Sequence, residues 1–322
     1  MVATTLVTGA AGFIGSHLCQ ALLERGGEVV AVDNFNDYYD PARKRANWAS
    51  FSPHPNSICY EEDIRNADAI GRIFHDHRPR HVVHLAAYGG VRYSMGRARL
   101  YVDVNVMGSV NLLEAAREVE SRNFVFASTS SVYGAAKRLP FVEDDPCNSP
   151  LAPYPASKKA VELLGHTYHH LYGMNFTAFR FFSVYGPRSR PDMMPYMVTD
   201  RIVKGQEIIL YDSGAMKRDW TYVGDIVQGI VAALDRPLGY EILNLGRGKP
   251  VLMADFVAKV EDLVGKKAVL ATPPAPPSDP KVSYANIDKA RKLLGYDPHT
   301  PVEEGLKSLW DWYRCEVLDK ST

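Results

Sequence analysis

The sequence predicts an α/β protein with a doubly wound parallel sheet. Three observations carry that expectation. Short β-branched runs alternate with amphipathic helical segments through the first 182 residues. A glycine-rich turn, Gly9, Gly12 and Gly15, joins the first run to the first helix. An acid, Asp33, closes the next run about 20 residues further on.

The glycines come first. Thr4–Thr8 reads as a strand, and Phe13 to Arg25 as the helix that follows it. Gly9 allows a tight turn, Gly12 lets backbone approach a pyrophosphate, and Gly15 lets helix pack on strand. The helix N-terminus offers free N–H groups and partial positive charge to phosphate. This is a Rossmann-type arrangement. Asp33, ending Glu28–Asp33, is placed to accept both ribose hydroxyls of an adenosine, and its charge repels a 2′-phosphate, so NAD is expected over NADP. The competing role is a strand-end turn cap.

Asn34 to Asp40 reads as a polar, aromatic loop beside the adenosine. Ile58–Glu61 leads to Asp63, which can accept from the adenine amino group or cap the helix that follows. His81–Ala87 is a buried strand whose small terminal residues leave room for a cofactor, with His84 expected as a core histidine. Arg92, just past that strand, suits either an anion or a surface salt bridge. Arg97 to Glu120 reads as one long helix, with Asn105 able to reach the cofactor side. Phe124–Ser128 is the next strand, tipped by Thr129, Ser130 and Ser131, whose hydroxyls suit a substrate hydroxyl or merely a turn.

Tyr154 and Lys158 are four residues apart at the start of a helix running to Tyr172, so they share a face. An ammonium beside a phenol favours the phenolate and makes the tyrosine a usable base nearer neutral pH. Pro155 suits the first helical position. Asn175–Phe182 completes six parallel strands. From 183 the pattern loosens into short strands, helices at Val223–Asp235, Met253–Leu263, Ile287–Leu294 and Pro301–Val317, a run at Glu241–Leu245, and an extended Pro-rich loop, Thr272–Pro280. The expected organisation is an NAD-binding unit over 1–182, rejoined by about 220–245, and a smaller C-terminal α/β substrate-binding unit over 183–322.

Composition removes several classes of function. The 37 basic and 37 acidic residues balance, so no net field attracts nucleic acid or an anionic membrane. No apolar run approaches a bilayer span. The chain starts directly in a strand-like run without a signal-peptide layout. Cys19, Cys59, Cys147 and Cys315 are scattered without metal-ligand spacing, so reduced thiols in a cytoplasmic protein and no metal are expected.

Taken together, Thr8–Gly15, Asp33, Asp63-Ile64, His84–Ala87, Tyr154-x-x-x-Lys158 and Arg218-Asp219 resemble an extended short-chain dehydrogenase/reductase nearly end to end. Within it the chain is most similar to the UDP-glucuronate 4-epimerases, through Asp33–Pro41, Gly90–Ser94, Leu139–Phe141, Arg180–Pro187 and Arg190–Met193. Ser183 stands where relatives often carry Thr, and Tyr88 and Pro155 also depart from the pattern.

The resemblance implies that Gly9, Gly12, Phe13, Ile14, Gly15, Asp33, Asn34, Asn36, Asp63, Ile64, Leu85, Ala86, Ala87, Asn105, Ser128, Tyr154, Lys158 and Phe181 surround NAD. It implies Tyr154, Lys158 and Thr129 as the catalytic group, and Arg92, Thr129, Ser130, Ser131, Ser183, Arg190 and Arg218 as contacts for a UDP-uronic acid. Arg190 would pin the uronate carboxylate, Arg218 would meet the diphosphate, and backbone near Glu207–Tyr211 the uracil. A loop salt bridge is the bland alternative for Arg190. A homodimer through helices 97–120 and 155–172 is implied as well. The rivals are a UDP-glucuronate decarboxylase, a 4,6-dehydratase and a non-catalytic NAD-binding sensor. The first two types carry acids after the position of Thr129, where this chain has Ser130 and Ser131. Sensors tend to lose the tyrosine or the lysine, and both are present.

Overall fold

The structure is a computed structural model and describes residues 3–275 and 280–319. Residues 276–279 of the expected Pro-rich loop lie outside the described residues.

The chain alternates β1 (Thr4–Thr8), α1 (Phe13–Glu24), β2 (Glu28–Asp33), α2 (Pro41–Ala49), β3 (Ser57–Glu61), α3 (Ala67–His77) and β4 (His81–His84). A helical stretch ending in α4 (Gly108–Glu118) leads to β5 (Asn123–Thr129). Then come α5 (Pro153–Tyr172), β6 (Phe176–Phe181) and, after an excursion, α6 (Val223–Asp235) and β7 (Tyr240–Leu245). The main sheet has seven strands in the order β7-β6-β5-β4-β1-β2-β3. Every pairing in it is parallel. The seventh strand, beyond the six expected, is Glu241–Leu245 with Tyr240, which pairs with β6 in register from Tyr240↔Phe176 to Leu245↔Phe181.

Both faces of the sheet are covered, which explains the near-continuous apolar strands. Neighbouring strand residues enter opposite cores. Val7, Val29, Val83 and Val125 join one core with α1 and α6. Leu6, Val30, Val82 and Phe124 join the other with α3, α4 and α5. A third core, around Tyr185, Ile202, Trp220, Phe256 and Leu306, belongs to the segments outside the main sheet. Those segments include parallel pairs of Ser183–Tyr185 with Trp220–Tyr222 and of Glu207–Ile209 with Val269–Ala271.

The long helix expected over 97–120 is interrupted. Ala98–Tyr101 is α-helical, Val102–Met107 widens to a π-helix, and α4 resumes at Gly108. A Cβ on Gly108 would stand 2.5 Å from the end of the Ile64 side chain, so the glycine lets the two pack without a shift. Insertions of this kind are frequent at functional sites, and Asn105 lies within it. The helix bearing Tyr154 begins one residue earlier than expected, at Pro153, so two prolines occupy its first turn. The strand expected to run to Ala87 ends at His84, and Leu85–Ala87 continue as open chain.

Candidate functional site

The strand order reverses between β1 and β4, and a cleft opens there at the carboxyl ends of the strands, the general ligand position in such sheets. Its volume is about 400 Å3. Gly9, Gly12, Phe13, Ile14 and Gly15 form its floor. Gly9 has φ +69°, and a Cβ on it would meet Ala86 N at 2.7 Å. A Cβ on Gly15 would stand 2.1 Å from Gly9 O, so helix and turn touch because residue 15 has no side chain. Neither a side-chain cap nor an acid occupies the first turn of α1, which leaves its N–H groups directed at the cleft.

Asp33 ends β2 and lies almost wholly buried against this turn. Its Oδ2 accepts from Ala11 N at 3.1 Å and its Oδ1 from Phe35 N at 2.9 Å. Burial raises its pKa, while those N–H groups and Lys44 oppose the shift. Lys44 is a wall residue that spacing did not reveal. Its Nζ donates to Asn36 O at 2.7 Å and to Asn36 Oδ1 at 2.8 Å, and lies 4.7 Å from the Tyr39 ring centre. Asn34, Asn36, Ile64, Leu85, Ala86, Ala87, Ser128 and Phe181 also line the cleft.

Two expected cofactor contacts do not line it. Asp63 is held by Arg65 through Nε at 3.0 Å and Nη2 at 2.8 Å, and by Asn34 Nδ2 at 2.8 Å. Burial would raise this carboxyl, yet the Arg65 and Asn34 bonds hold it at about 2. Its acceptor positions are therefore occupied by protein, and the helix cap is Asn66 instead. Asn105 is also turned to protein. Its Oδ1 accepts from Tyr88 N at 2.8 Å, and its Nδ2 donates to Tyr88 O at 3.0 Å and Ser157 Oγ at 3.0 Å. It braces the chain after β4 rather than facing the cleft. Ser128 lines the cleft, but its hydroxyl donates to Glu162 Oε1 at 2.6 Å. His84 is a core residue as expected, bridging Thr8 Oγ1 at 2.7 Å and Ser109 Oγ at 2.8 Å.

Thr129, Ser130, Ser131, Tyr154, Lys158, Ser183 and Arg190 share one end of the cleft. Burial raises the Tyr154 phenol, opposed by a hydrogen bond with Thr129 and by the charge of Arg190. Burial also lowers Lys158 to about 7, with its ammonium nitrogen 4.7 Å from the Phe126 ring centre. Burial governs both groups, and a lysine near neutrality is a weak charge but a ready proton donor and acceptor. Arg190 contributes a charge that lowers the Tyr154 phenol.

Arg190 is about a quarter exposed, with 26% of its side chain accessible, and pairs with Asp192 at 3.1 Å. Gly89 and Gly90 form the wall beside it, with Tyr38 and Tyr39. These tyrosines lie in the motif that carried the family resemblance, but their position in the wall needed the fold. Two other expected substrate arginines do not line the cleft. Arg92 lies over Tyr211, 5.5 Å from its ring centre. Arg218 donates from Nη1 to Pro280 O at 2.8 Å and Lys217 O at 2.9 Å.

A glycine turn, a buried strand-end carboxylate and a tyrosine–lysine pair in one cleft define a dinucleotide-binding protein with a side chain placed for proton transfer. The comparisons agree with that class. Residues 5–246 match the NAD dependent epimerase/dehydratase family, and the chain belongs to it. A UDP-glucuronate 4-epimerase of Thermodesulfobacterium geofontis is 43% identical over 313 residues, covering 97% of this chain and 96% of that one. The structure of a UDP-glucuronic acid 4-epimerase from Bacillus cereus, in complex with UDP-glucuronic acid and NAD, superposes with TM-score 0.90 at 36% identity, covering 97% of this chain and 99% of that one. A dTDP-glucose 4,6-dehydratase of Streptomyces venezuelae shares the fold at TM-score 0.89 and 28% identity, each chain covered to 97%.

Proposed function

We propose that this chain interconverts UDP-glucuronate and UDP-galacturonate by inverting C4, with NAD retained between turnovers. The observation that carries the reading is the meeting of Arg190 with Thr129 and Tyr154 at one end of the cleft. A fixed cation there suits an acidic sugar, and hydroxyls at Ser130 and Ser131 leave no acid to drive elimination. The relatives named for the same activity support it.

The residues fit the cofactor. The Gly9 and Gly15 contacts leave space only for backbone, and Asp33 suits unmodified ribose hydroxyls. Bound NAD would accept a hydride from C4 and return it. Tyr154 would take the proton of the 4-hydroxyl, with Thr129 hydrogen-bonded to the phenol oxygen and Lys158 passing the proton on. The sugar turns over while its diphosphate end stays anchored, so C4 is reduced from its other face. The 4-keto uronate is a β-keto acid and loses CO2 when its carboxylate stands perpendicular to the ketone. Arg190, with Ser183 as a second donor, holds that carboxylate away from this alignment.

The same reading extends to assembly and location. We infer a homodimer from exposed apolar side chains along two adjoining helical stretches, Val102 and Met107 with Leu163, Leu171 and Tyr172. We infer a reducing, cytoplasmic setting from four cysteines that are all free. Among the described residues no helix is long and apolar enough to cross a membrane.

The test is incubation of the purified protein with UDP-glucuronate and separation of the products. UDP-galacturonate is expected. Stoichiometric CO2 with a UDP-pentose would replace the reading with decarboxylation, the second activity open to this site.

A further inference from the structure

Arg190 is gripped along one edge by Asp192. Its Nε donates to Asp192 Oδ1 at 3.1 Å and its Nη2 to Asp192 Oδ2 at 3.1 Å. Guanidinium has a second edge, formed by its two terminal amino groups, with donors still to offer. On that edge Nη1 lies 2.6 Å from where a Gly89 Cβ would stand, so the absent side chain gives it room in the cleft wall.

Asp192 is itself held. The Tyr38 hydroxyl donates to Oδ2 at 3.2 Å, and the Arg190 guanidinium lies 5.4 Å from the Tyr38 ring centre. The Tyr38 ring packs edge-on against Tyr93 at 4.8 Å and Tyr88 at 5.7 Å between ring centres. Its hydroxyl would lie 2.7 Å from a Cβ on Gly90. Burial, chiefly, raises this phenol to about 12, so it remains a donor. The Asp192 side chain is 42% exposed, and an ion pair so open adds little stability. What the arrangement does well is fix direction, because fork-to-fork pairing is strongly geometric.

We propose that Asp192, braced by Tyr38, is a positioning residue that holds Arg190 by its Nε edge and aims the terminal edge at the substrate carboxylate. The inference rests on the uronate-epimerase reading above and adds to it a residue that controls fidelity. A guanidinium free to swing would restrain the carboxylate of the 4-keto sugar less well. CO2 then leaves as the C5–C6 bond breaks, its electron pair passes into the enolate of the 4-ketone, and a proton adds at C5 to give a 4-keto pentose.

The test compares Asp192→Asn and Tyr38→Phe with the wild-type holoenzyme. In the asparagine variant an amide nitrogen faces an arginine donor and the fork is lost. The expected result is a fall in kcat/KM for UDP-glucuronate of roughly ten- to a hundredfold, the scale of a charge-assisted hydrogen bond. The CO2 released per epimerised sugar rises. Inhibition by UDP, which has no carboxylate, changes less than about twofold, within ordinary variation for a surface substitution. Tyr38→Phe moves the same readouts in the same direction by less, and carries the test if Asp192→Asn does not fold. Unchanged turnover and CO2 yield would overturn the proposal. So would a lowered KM, which would make Asp192 a competitor of the substrate, or an equal loss of UDP binding, which would make its role merely structural. A wild-type protein that forms no UDP-galacturonate would overturn the proposed function itself. An active wild type with an indifferent Asp192 overturns this inference alone.

Discussion

Gly89 and Arg190 are matched in shape: a β-carbon on the glycine would stand 2.6 Å from Nη1 and 3.4 Å from Cζ of the arginine. Gly89→Ala should therefore push the guanidinium aside without touching the glycine turn of the cofactor site. The expected outcome is a loss of about tenfold in kcat/KM for UDP-glucuronate, the lower end of what a misplaced charge-assisted hydrogen bond costs. NAD content after purification should be unchanged. Equal activity of the two proteins would show that the guanidinium can move freely.

Removing the cation itself is the harsher version. Arg190→Ala should raise KM for UDP-glucuronate and divert part of the keto intermediate to CO2, since a charge-assisted hydrogen bond contributes about 1.5–3 kcal/mol. Product analysis reads both effects. Unchanged affinity and turnover would withdraw the carboxylate assignment.

Tyr154→Phe keeps the ring and its edge-on contact with Tyr101 at 6.1 Å between centres, while losing the hydroxyl. Turnover should drop by about 10²- to 10⁴-fold, the usual worth of a positioned acid–base group. Substrate should no longer produce reduced-nicotinamide absorbance. A residual rate near wild type would assign the proton transfer to another group.

Lys158 makes stability depend on pH in a specific direction. Its pKa is about 7 in the folded protein against an ordinary 10.5, so between those values the unfolded chain holds more protons. Stability from this group therefore rises as pH goes from about 7 towards 10.5, and the burial penalty is complete below that window. Lys158→Met should abolish that rise and raise the melting temperature most at pH 6–7, while inactivating the enzyme. Parallel melting curves of the two proteins across pH would contradict the shift.

Under the site lies a buried ion pair. Arg180 Nε and Nη2 donate to Glu162 at 3.0 and 2.9 Å, with side chains 1% and 0% exposed. Lys159 and Ser128 also bind this carboxylate. Glu162→Leu should destabilise the fold by about 3–5 kcal/mol, because it strands a buried arginine. Chemical denaturation measures this directly.

The features legible in the sequence were those governed by local chemistry. Gly15 is required by a contact within one turn, Gly9 by its positive φ, and Asp33 follows them by a fixed strand length. Tyr154 and Lys158 share a helical face by spacing alone. What stayed hidden depends on side-chain pairing and burial that only the folded chain sets. Asp63 had the right position at a strand end, but Arg65 and Asn34 engage its oxygens. Asn105 fitted a helix facing the cofactor until a π-turn and the Tyr88 backbone took its amide. Lys44 lines the cleft through the packing of α2, which no motif encodes. Spacing put Lys158 on the face of Tyr154 but said nothing of the depth of burial that lowers it to about 7.

The late return of the chain to its main sheet has a consequence for synthesis. β6 gains its outer neighbour, β7, only after the excursion from Ser183 to Tyr222 and the passage of α6. Until then a nascent chain leaving the ribosome carries Phe176–Phe181 as a bare, greasy edge, ready to join the same edge of another nascent copy. A gene fragment stopped at residue 182 should accumulate in inclusion bodies, and co-expressing the remaining segment as a separate polypeptide should rescue part of it.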